Sequence, residues 1–187
     1  MTKTMSENFQ YRVPEGDDRE RRVCQTCGFI DYENPRIVAG SVVVRDEKIL
    51  LCRRAIEPRK GFWTLPAGYM ELGESIEEAA MREAREEACA TIKIDRVLAQ
   101  YTVHRIGQVQ IMFRARLASD IRPGPESLEV GLFDWKDIPW SELAFPTVVW
   151  ALTHYAESRH ANGFAPFGNP AGTEKVTRQP PVPPQGV

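Results

Sequence analysis

The chain has 187 residues, of which 42% are hydrophobic and 27% are charged, and its formal net charge is -2. These proportions suit one globular domain of ordinary size with short extensions. The charge balance provides no basic field over the whole molecule that would hold DNA. No run of about 18 apolar residues occurs, and the polar N-terminus does not read as a secretory signal. We therefore expect a cytoplasmic protein that binds neither DNA nor membranes.

The N-terminal arm, residues 1–35, carries a pair of cysteines. Residues 1–22 are polar and charged and predict little order. Cys24 and Cys27, followed by Gly28, predict a tight turn of the kind that holds a metal. Because no Cys or His precedes Cys24, the first pair of ligands of a four-ligand zinc site is missing. We favour a turn kept without zinc; zinc shared with a second chain is the alternative.

The body of the chain, residues 36–160, reads as an α/β domain. Ser75 begins a helix that runs to about Ala88, because Ser75 and Glu78 have the spacing of a capping box. A second helical pattern lies within residues 140–160, and the Pro- and Gly-rich residues 161–187 predict a disordered tail. Valine-rich or alternating patterns predict five strands, at residues 37–45, 48–53, 92–102, 108–117 and 128–135.

Three glutamates of the first predicted helix share one of its faces. At about 100° per residue, Glu83, Glu86 and Glu87 fall within roughly a third of the circumference. Each pair of like charges at this spacing costs about 0.2–0.5 kcal/mol on an exposed helix. A divalent cation would neutralise them, since Mg²⁺ prefers oxygen ligands. A solvated acidic face is the other interpretation, and the spacing alone does not decide between the two.

Six positions of the segment around this helix carry a glycine, an arginine or a glutamate at fixed spacings: Gly68, Glu74, Arg82, Glu83, Glu86 and Glu87. This segment resembles the Nudix box of the Nudix hydrolases, and residues 63–68 resemble its lead-in. The resemblance implies an α/β/α sandwich with a mixed β-sheet, and Mg²⁺- or Mn²⁺-dependent hydrolysis of a nucleoside diphosphate derivative. One position departs from the pattern: Cys89 stands where the family usually has glycine, at a left-handed helix cap that costs another residue about 1 kcal/mol.

The resemblance also assigns roles at the expected site. Glu83 and Glu87 are implied as metal ligands with Glu86 beside them, and the carbonyl of Gly68 completes the set. Glu126 corresponds to an outlying acidic ligand in the NADH pyrophosphatase branch; an exposed loop carboxylate is its alternative role. Glu83, Glu86 and Glu126 are the catalytic candidates, and the base that activates water is Glu86 or Glu126. Arg82 is expected to orient Glu83 or Glu86 through an ion pair rather than to contact substrate.

Three further side chains are candidates for substrate binding. Arg53 and Arg54 end a predicted strand, where guanidinium groups suit phosphate oxygens; ordinary surface charge is the alternative. Gln108 begins a strand that is expected to border the substrate cleft. Phe62 and Trp63, just before the box, are expected to pack beneath it, and stacking of one of them on a base is the alternative.

Two segments that flank the box indicate which groups of Nudix hydrolases the chain resembles. Residues 24–35 resemble the last part of the zinc ribbon of NADH pyrophosphatases, and residues 123–140 resemble ADP-ribose and FAD pyrophosphatases. ADP-ribose or FAD, cut to release AMP, is therefore the expected substrate, with NAD(H) or an NAD-capped RNA as the alternative. A nucleotide-binding regulator without activity is disfavoured by the retained acids, and a zinc-ribbon nucleic-acid module by the missing ligands. A homodimer is compatible with the resemblance.

Overall fold

The computed structural model describes residues 8–173, and the chain divides after Pro35 into two units. The first unit contains three antiparallel strands, β1 (Phe9–Arg12), β2 (Arg21–Cys24) and β3 (Ile30–Asp31), in the order β1-β2-β3. The expectation of little order before Cys24 was wrong for residues 8–22, and residues 1–7 lie outside the described part.

Arginine–aromatic contacts explain the order of this charged segment. The Arg22 guanidinium lies 4.6 Å from the centre of the Phe9 ring, and that of Arg21 lies 5.2 Å from the Tyr32 ring. Arg21 also donates a 2.9 Å hydrogen bond to Asp17. Because these arginines cover aromatic rings, the charged composition did not lead to disorder.

The second unit is built on a mixed sheet. Its central path runs β10-β5-β4-β9-β8, with β6 paired to β5 and β7 paired to β4. Strands β4 and β9 are parallel, and the other neighbours are antiparallel. The five predicted strands are confirmed. The bounds are β4 (Arg36–Arg45), β5 (Lys48–Arg54), β6 (Trp63–Thr64), β7 (Ala67–Tyr69), β8 (Ile92–Val103), β9 (Gln108–Leu117) and β10 (Ser127–Phe133).

Two helices cover opposite faces of this sheet. Helix α1 (Ile76–Ala88) buries Ala84 and Ala88 against Val43, whereas α2 (Pro146–Ser158) packs into the cluster that contains Val42. Successive residues of a strand point to opposite faces, so the two helices lie on different sides. The predicted α/β/α sandwich is confirmed. No helix among residues 8–173 has the length and apolarity needed to cross a membrane.

The chain remains ordered after α2. Backbone hydrogen bonds join Phe167 to Leu98 and Gln100 of β8, at 3.0 and 2.9 Å. The Phe167 ring stacks on His154 with 4.4 Å between ring centres. The prediction of a disordered tail was therefore wrong for residues 161–173, because an aromatic anchor and a free strand edge hold the segment. Residues 174–187 lie outside the described part.

Candidate active site

The start of α1 sets the orientation of its glutamates. The Ser75 hydroxyl accepts a hydrogen bond from the Glu78 N–H at 3.2 Å, and the Glu78 carboxylate accepts one from the Ser75 N–H at 2.7 Å. The capping box predicted from sequence is therefore confirmed. It determines where the helix begins and hence which face carries Glu83 and Glu87.

The end of α1 has the expected left-handed cap. Cys89 adopts φ 50° and ψ 27°, in the region that favours glycine. We predict that Cys89→Gly raises the free energy of unfolding by about 1 kcal/mol, as measured by urea denaturation. Cys89→Ser is the control, because it removes the thiol but keeps the backbone strain. A loss of stability in the glycine variant would contradict this interpretation.

Two of the three glutamates are buried beside Gly68. Glu83 and Glu87 are only 8% and 5% exposed, whereas the Glu86 side chain is 54% exposed. A methyl group at Gly68 would collide with the Glu83 carboxylate. The absence of a side chain at this position therefore makes room for a carboxylate against the β7 backbone.

Arg82 connects most of the acidic groups of the box. Its Nη1 donates to Glu83 at 2.7 Å and to Glu86 at 2.9 Å. Its Nε and Nη2 donate to the two oxygens of Glu74 at 3.0 and 2.8 Å, and Nη2 also donates to the Tyr69 carbonyl at 2.8 Å. The structure thus forms the expected ion pairs with Glu83 and Glu86 and adds Glu74, whose partner the sequence did not indicate.

Glu87 has the chemistry expected of a cation ligand. Its Oε2 is buried and has no hydrogen-bond partner within residues 8–173. Burial, together with the charge of Glu83, raises the pKa of Glu87 to about 8. Burial also raises the pKa of Glu83, partly offset by Arg82. Two buried carboxylates, one with an unpaired oxygen, fit a divalent cation that would neutralise both.

The carboxylates of the site are not arranged as a complete set of metal ligands in the part of the chain that the structure describes. Within residues 8–173, no group of three or more His, Cys, Asp or Glu side chains is arranged to hold a metal ion. The ion pairs with Arg82 account for this, because they direct Glu83 and Glu86 toward the guanidinium. Full coordination by these residues would require Glu83 or Glu86 to exchange Arg82 for the cation.

The loop that precedes β10 carries a further acidic residue, Glu126, close to Glu83 and Glu87. The Gly124 N–H donates to the Glu87 carbonyl at 3.0 Å, and the Arg122 N–H donates to the Ala88 carbonyl at 3.0 Å. Glu126, two residues after Gly124, is exposed, and its charge contributes to the raised pKa of Glu83 and of Glu87. The loop therefore carries the Glu126 carboxylate to the edge of the glutamate site.

Gly124 has a positioning role that sequence reasoning missed. A methyl group there would collide with the backbone carbonyl of Glu86. The only signal in the sequence was glycine between Pro123 and Pro125. We predict that Gly124→Ala lowers the free energy of unfolding by about 1–3 kcal/mol, the usual cost of overpacking. Thermal unfolding would measure this, and Gly168→Ala, where a methyl group meets open space, is the matched control; equal stability of the two variants would contradict it.

The two arginines of β5 have different surroundings. Arg53 donates to the Gly61 carbonyl at 2.9 Å and pairs with Glu129 at 3.5 Å. Arg54 donates to the Pro58 carbonyl at 2.8 Å, and its charge lowers the pKa of Glu87 against the effect of burial. Arg54 therefore borders the glutamates, whereas Arg53 is engaged by its own loop and by β10.

Gln108 reaches the site through another side chain. It donates a 2.8 Å hydrogen bond to the Tyr69 hydroxyl, and the carbonyl of Tyr69 binds Arg82. Trp63 packs edge-on against Phe133 with 4.9 Å between ring centres, in the cluster that contains Val42 and the buried residues of α2, so it does not lie beneath α1 as expected. Tyr69 is a link that the sequence did not indicate.

The cysteine pair of the first unit forms a knuckle-like turn. The Gly28 N–H donates to the Cys24 carbonyl at 3.0 Å, and Gly28 adopts φ 75°. Backbone N–H groups of Cys27 and Thr26 lower the pKa of the Cys24 thiol. Residues 1–35 contain no other Cys or His. This unit alone therefore supplies only two of the four ligands that structural zinc needs.

Comparison with known proteins identifies the family. A profile of the NUDIX domain matches residues 34–153, which is more than half of the chain. The chain belongs to the Nudix family. A second profile, of the zinc-ribbon "Nudix N-terminal" region, matches residues 6–33. The ribbon resemblance therefore begins well before Cys24, the residue at which it was predicted to begin, and includes β1 and β2.

Three similar proteins show how far the likeness extends. A crystal structure of a NUDIX hydrolase from Nitrosomonas europaea is 43% identical, with a TM-score of 0.81 over 86% of this chain and 92% of that one. An ADP-ribose pyrophosphatase of Methanocaldococcus jannaschii is 32% identical over 61% of this chain and 69% of its own length. The human mitochondrial NAD(P)H pyrophosphatase NUDT13 is 28% identical over 80% of this chain, but the match spans only 41% of NUDT13. This Nudix protein is an enzyme of the hydrolase class.

Proposed function

We propose that this Nudix hydrolase cuts the diphosphate bond of a nucleoside diphosphate derivative, with ADP-ribose or FAD as substrate and AMP as product, in a reaction that needs Mg²⁺ or Mn²⁺. One observation supports the proposal most directly. Glu83 and Glu87 are buried, and the Glu83 carboxylate lies against Gly68 where a side chain would otherwise stand. One oxygen of Glu87 has no hydrogen-bond partner within the described residues. Such a site is costly without a cation and suited to one that also contacts phosphate. The similarity to the archaeal ADP-ribose pyrophosphatase supports this substrate class.

The acidic residues of the site would bind the cation and activate the attacking water. Glu83, Glu86 and Glu87, with the Gly68 carbonyl and Glu126, would hold the cation. When bound, a cation of this kind neutralises phosphate oxygens and lowers the pKa of a coordinated water. Arg82 would keep one of its two partners, Glu83 or Glu86, in place while the other turns to the cation. An exposed carboxylate, Glu86 or Glu126, takes the proton of the attacking water. Both remain accessible enough to pass that proton to solvent.

The substrate is held by groups beside the glutamates. Arg54 borders Glu87, and its Nη groups form no ion pair within the described residues, so it is the better phosphate contact of the two β5 arginines. Gln108, whose amide donates to the Tyr69 hydroxyl and accepts from Gln110, would contact a sugar or a base through its second N–H. Arg53, which contacts Gly61 and Glu129, serves mainly to hold the loop.

A second substrate class has a specific observation in its favour. The zinc-ribbon profile covers residues 6–33, and the human NAD(P)H pyrophosphatase is similar over 80% of this chain. NAD(H), free or at the 5′ end of an RNA, is therefore the alternative substrate. A regulator that binds nucleotide without cutting it is the remaining alternative, and the buried glutamates argue against it.

A substrate panel tests these proposals. Purified protein is incubated with ADP-ribose, FAD, NADH and a short NAD-capped RNA, each with Mg²⁺, with Mn²⁺ and with EDTA. We expect metal-dependent release of AMP, or of NMN and 5′-phosphorylated RNA from the capped RNA, measured by chromatography. The substrate with the highest kcat/KM decides between the two classes. Binding of nucleotide without turnover of any substrate would support the regulator.

A further inference from the structure

The loop between β5 and β6, residues 55–61, is held in one shape by hydrogen bonds within itself and to a neighbouring loop. The Gly61 N–H donates to the Arg54 carbonyl at 2.8 Å, and the Arg54 N–H donates to the Phe62 carbonyl at 2.9 Å. The Ala55 N–H donates to the Glu126 carbonyl at 2.8 Å. The loop is thus tied directly to the segment that carries Glu126.

This loop presents Arg59 in a fixed orientation. Arg59 adopts φ 67°, an unfavourable conformation for a residue with a side chain. Its guanidinium lies 4.1 Å from the centre of the Phe62 ring, and its Nε donates to the Ala144 carbonyl at 3.1 Å. The backbone strain is therefore tolerated in a place where the side chain is stacked and anchored, as in many functional sites.

Arg54 is held in the same manner close by. Its guanidinium lies 5.2 Å from the ring of Phe145, the residue that follows the anchor of Arg59, and its Nε donates to the Pro58 carbonyl. Each arginine uses Nε for a carbonyl, and neither forms an ion pair with a carboxylate in the described residues 8–173. Two oriented guanidinium groups, one at each end of this short stretch of chain, thus keep their Nη donors available, and the charge of one of them, Arg54, acts on Glu87.

This arrangement is suited to an anion. Guanidinium groups bind phosphate through paired N–H donors, and a group that is already oriented loses less side-chain entropy on binding. The scissile diphosphate has the cation and the glutamate site to contact. A second phosphate on the substrate would have no such partner there, and the two arginines would supply it.

We propose that Arg54 and Arg59 together bind a phosphate group that the substrate carries outside the diphosphate being cut. This inference rests on the proposed diphosphate hydrolysis, and it favours the NAD-type substrates over ADP-ribose and FAD, which carry no phosphate outside the diphosphate. Two sources offer the same chemistry: the 2′-phosphate of a phosphorylated dinucleotide, and the first phosphodiester of a capped RNA. Arg59 is then a specificity-determining residue that sequence reasoning did not identify.

Matched substrate pairs test this phosphate-binding pair, Arg54 and Arg59, which we call the clamp. We expect kcat/KM for NADPH to exceed that for NADH by about tenfold if the 2′-phosphate is bound, since one charged contact is worth roughly that factor. A short NAD-capped RNA compared with NAD tests the phosphodiester in the same way. Arg59→Gly should bring the ratio to about 1, and it relieves the backbone strain, so misfolding would not explain the loss. Arg59→Lys should give an intermediate ratio.

The matched control is Arg116→Ala, an exposed arginine at the opposite end of the sheet, on β9. It should leave the ratio of the wild-type protein intact. A wild-type ratio near 1 in both pairs, or a ratio that survives Arg59→Gly, would overturn the clamp. A ratio lost equally in Arg116→Ala would also overturn it, because the effect would then be one of general charge.

A binding measurement separates this inference from the proposed function. Calorimetry with EDTA present compares adenosine 2′,5′-bisphosphate and a 3′-phosphorylated AMP with AMP itself. Tighter binding of either bisphosphate that disappears in Arg59→Gly supports the clamp even if no substrate is hydrolysed, in which case the proposed function fails alone. Hydrolysis of ADP-ribose with no bisphosphate preference supports the function and defeats the clamp.

Discussion

Replacing Glu87 with glutamine is expected to lower kcat/KM by about 10²-fold or more, because a metal ligand contributes several kcal/mol to the transition state. The amide has nearly the same shape as the carboxylate but removes the negative charge that the cation needs. Initial rates on the best substrate of the panel, at saturating Mg²⁺, measure the effect. Glu77→Gln, an exposed position on the first turn of α1, is the control.

Glu87→Gln, which should lower activity, is also expected to make the metal-free protein more stable than the wild type at high pH. Without metal, the pKa of Glu87 rises from 4.5 to about 8 on folding. Between these values the folded protein binds more protons than the unfolded one, so its free energy of unfolding falls as pH rises. Glu87→Gln removes that fall, which we expect to be on the order of 4 kcal/mol between pH 5 and pH 9.

Denaturant titrations in EDTA between pH 5 and pH 9 measure this difference. The free energy of unfolding of the variant, minus that of the wild type, should increase with pH. A poorly hydrogen-bonded amide in the variant would instead lower this difference by the same amount at every pH. Saturating Mg²⁺ should stabilise the wild type more than the variant. A difference that is constant across pH would contradict the burial of an ionisable Glu87, and full activity of the variant would contradict its role as a ligand.

Adding a methyl group at Gly68 is expected to produce the second large effect. The Cβ of alanine would occupy the place of the Glu83 carboxylate and displace it from the backbone of β7. We expect Gly68→Ala to reduce kcat/KM by about 10²-fold, since a shift near 1 Å in a catalytic site costs about this much. The Km for metal should rise as well, because Glu83 can no longer share the cation with Glu87.

Gly168→Ala is again the matched control, since its added methyl group meets no neighbour. Circular dichroism and thermal unfolding should show that Gly68→Ala stays folded, so that the loss is one of geometry. Wild-type kinetics in Gly68→Ala would show that Glu83 does not need its place against Gly68. A crystal structure of the variant would locate the displaced carboxylate.

Local patterns in the sequence were sufficient for the elements that carry the site. Alternation predicted the strands, the Ser75–Glu78 pair predicted the start of α1, and the box spacing selected the glutamates that we propose as cation ligands. Even the left-handed cap at Cys89 followed from one departure from the family pattern. Such features depend on neighbours within a few residues along the chain, which is the range over which sequence patterns carry physical information.

Distant contacts decided the rest. Arg122 and Gly124 bring the Glu126 loop against α1, and Arg59 is anchored to a residue 85 positions away. The burial that raises the pKa of Glu87 likewise comes from packing rather than from its neighbours in sequence. The errors have the same cause: residues 8–22 and 161–173 looked too polar to fold, but each found aromatic partners or a strand edge elsewhere. Composition reports what a segment contains, whereas its order depends on what packs against it.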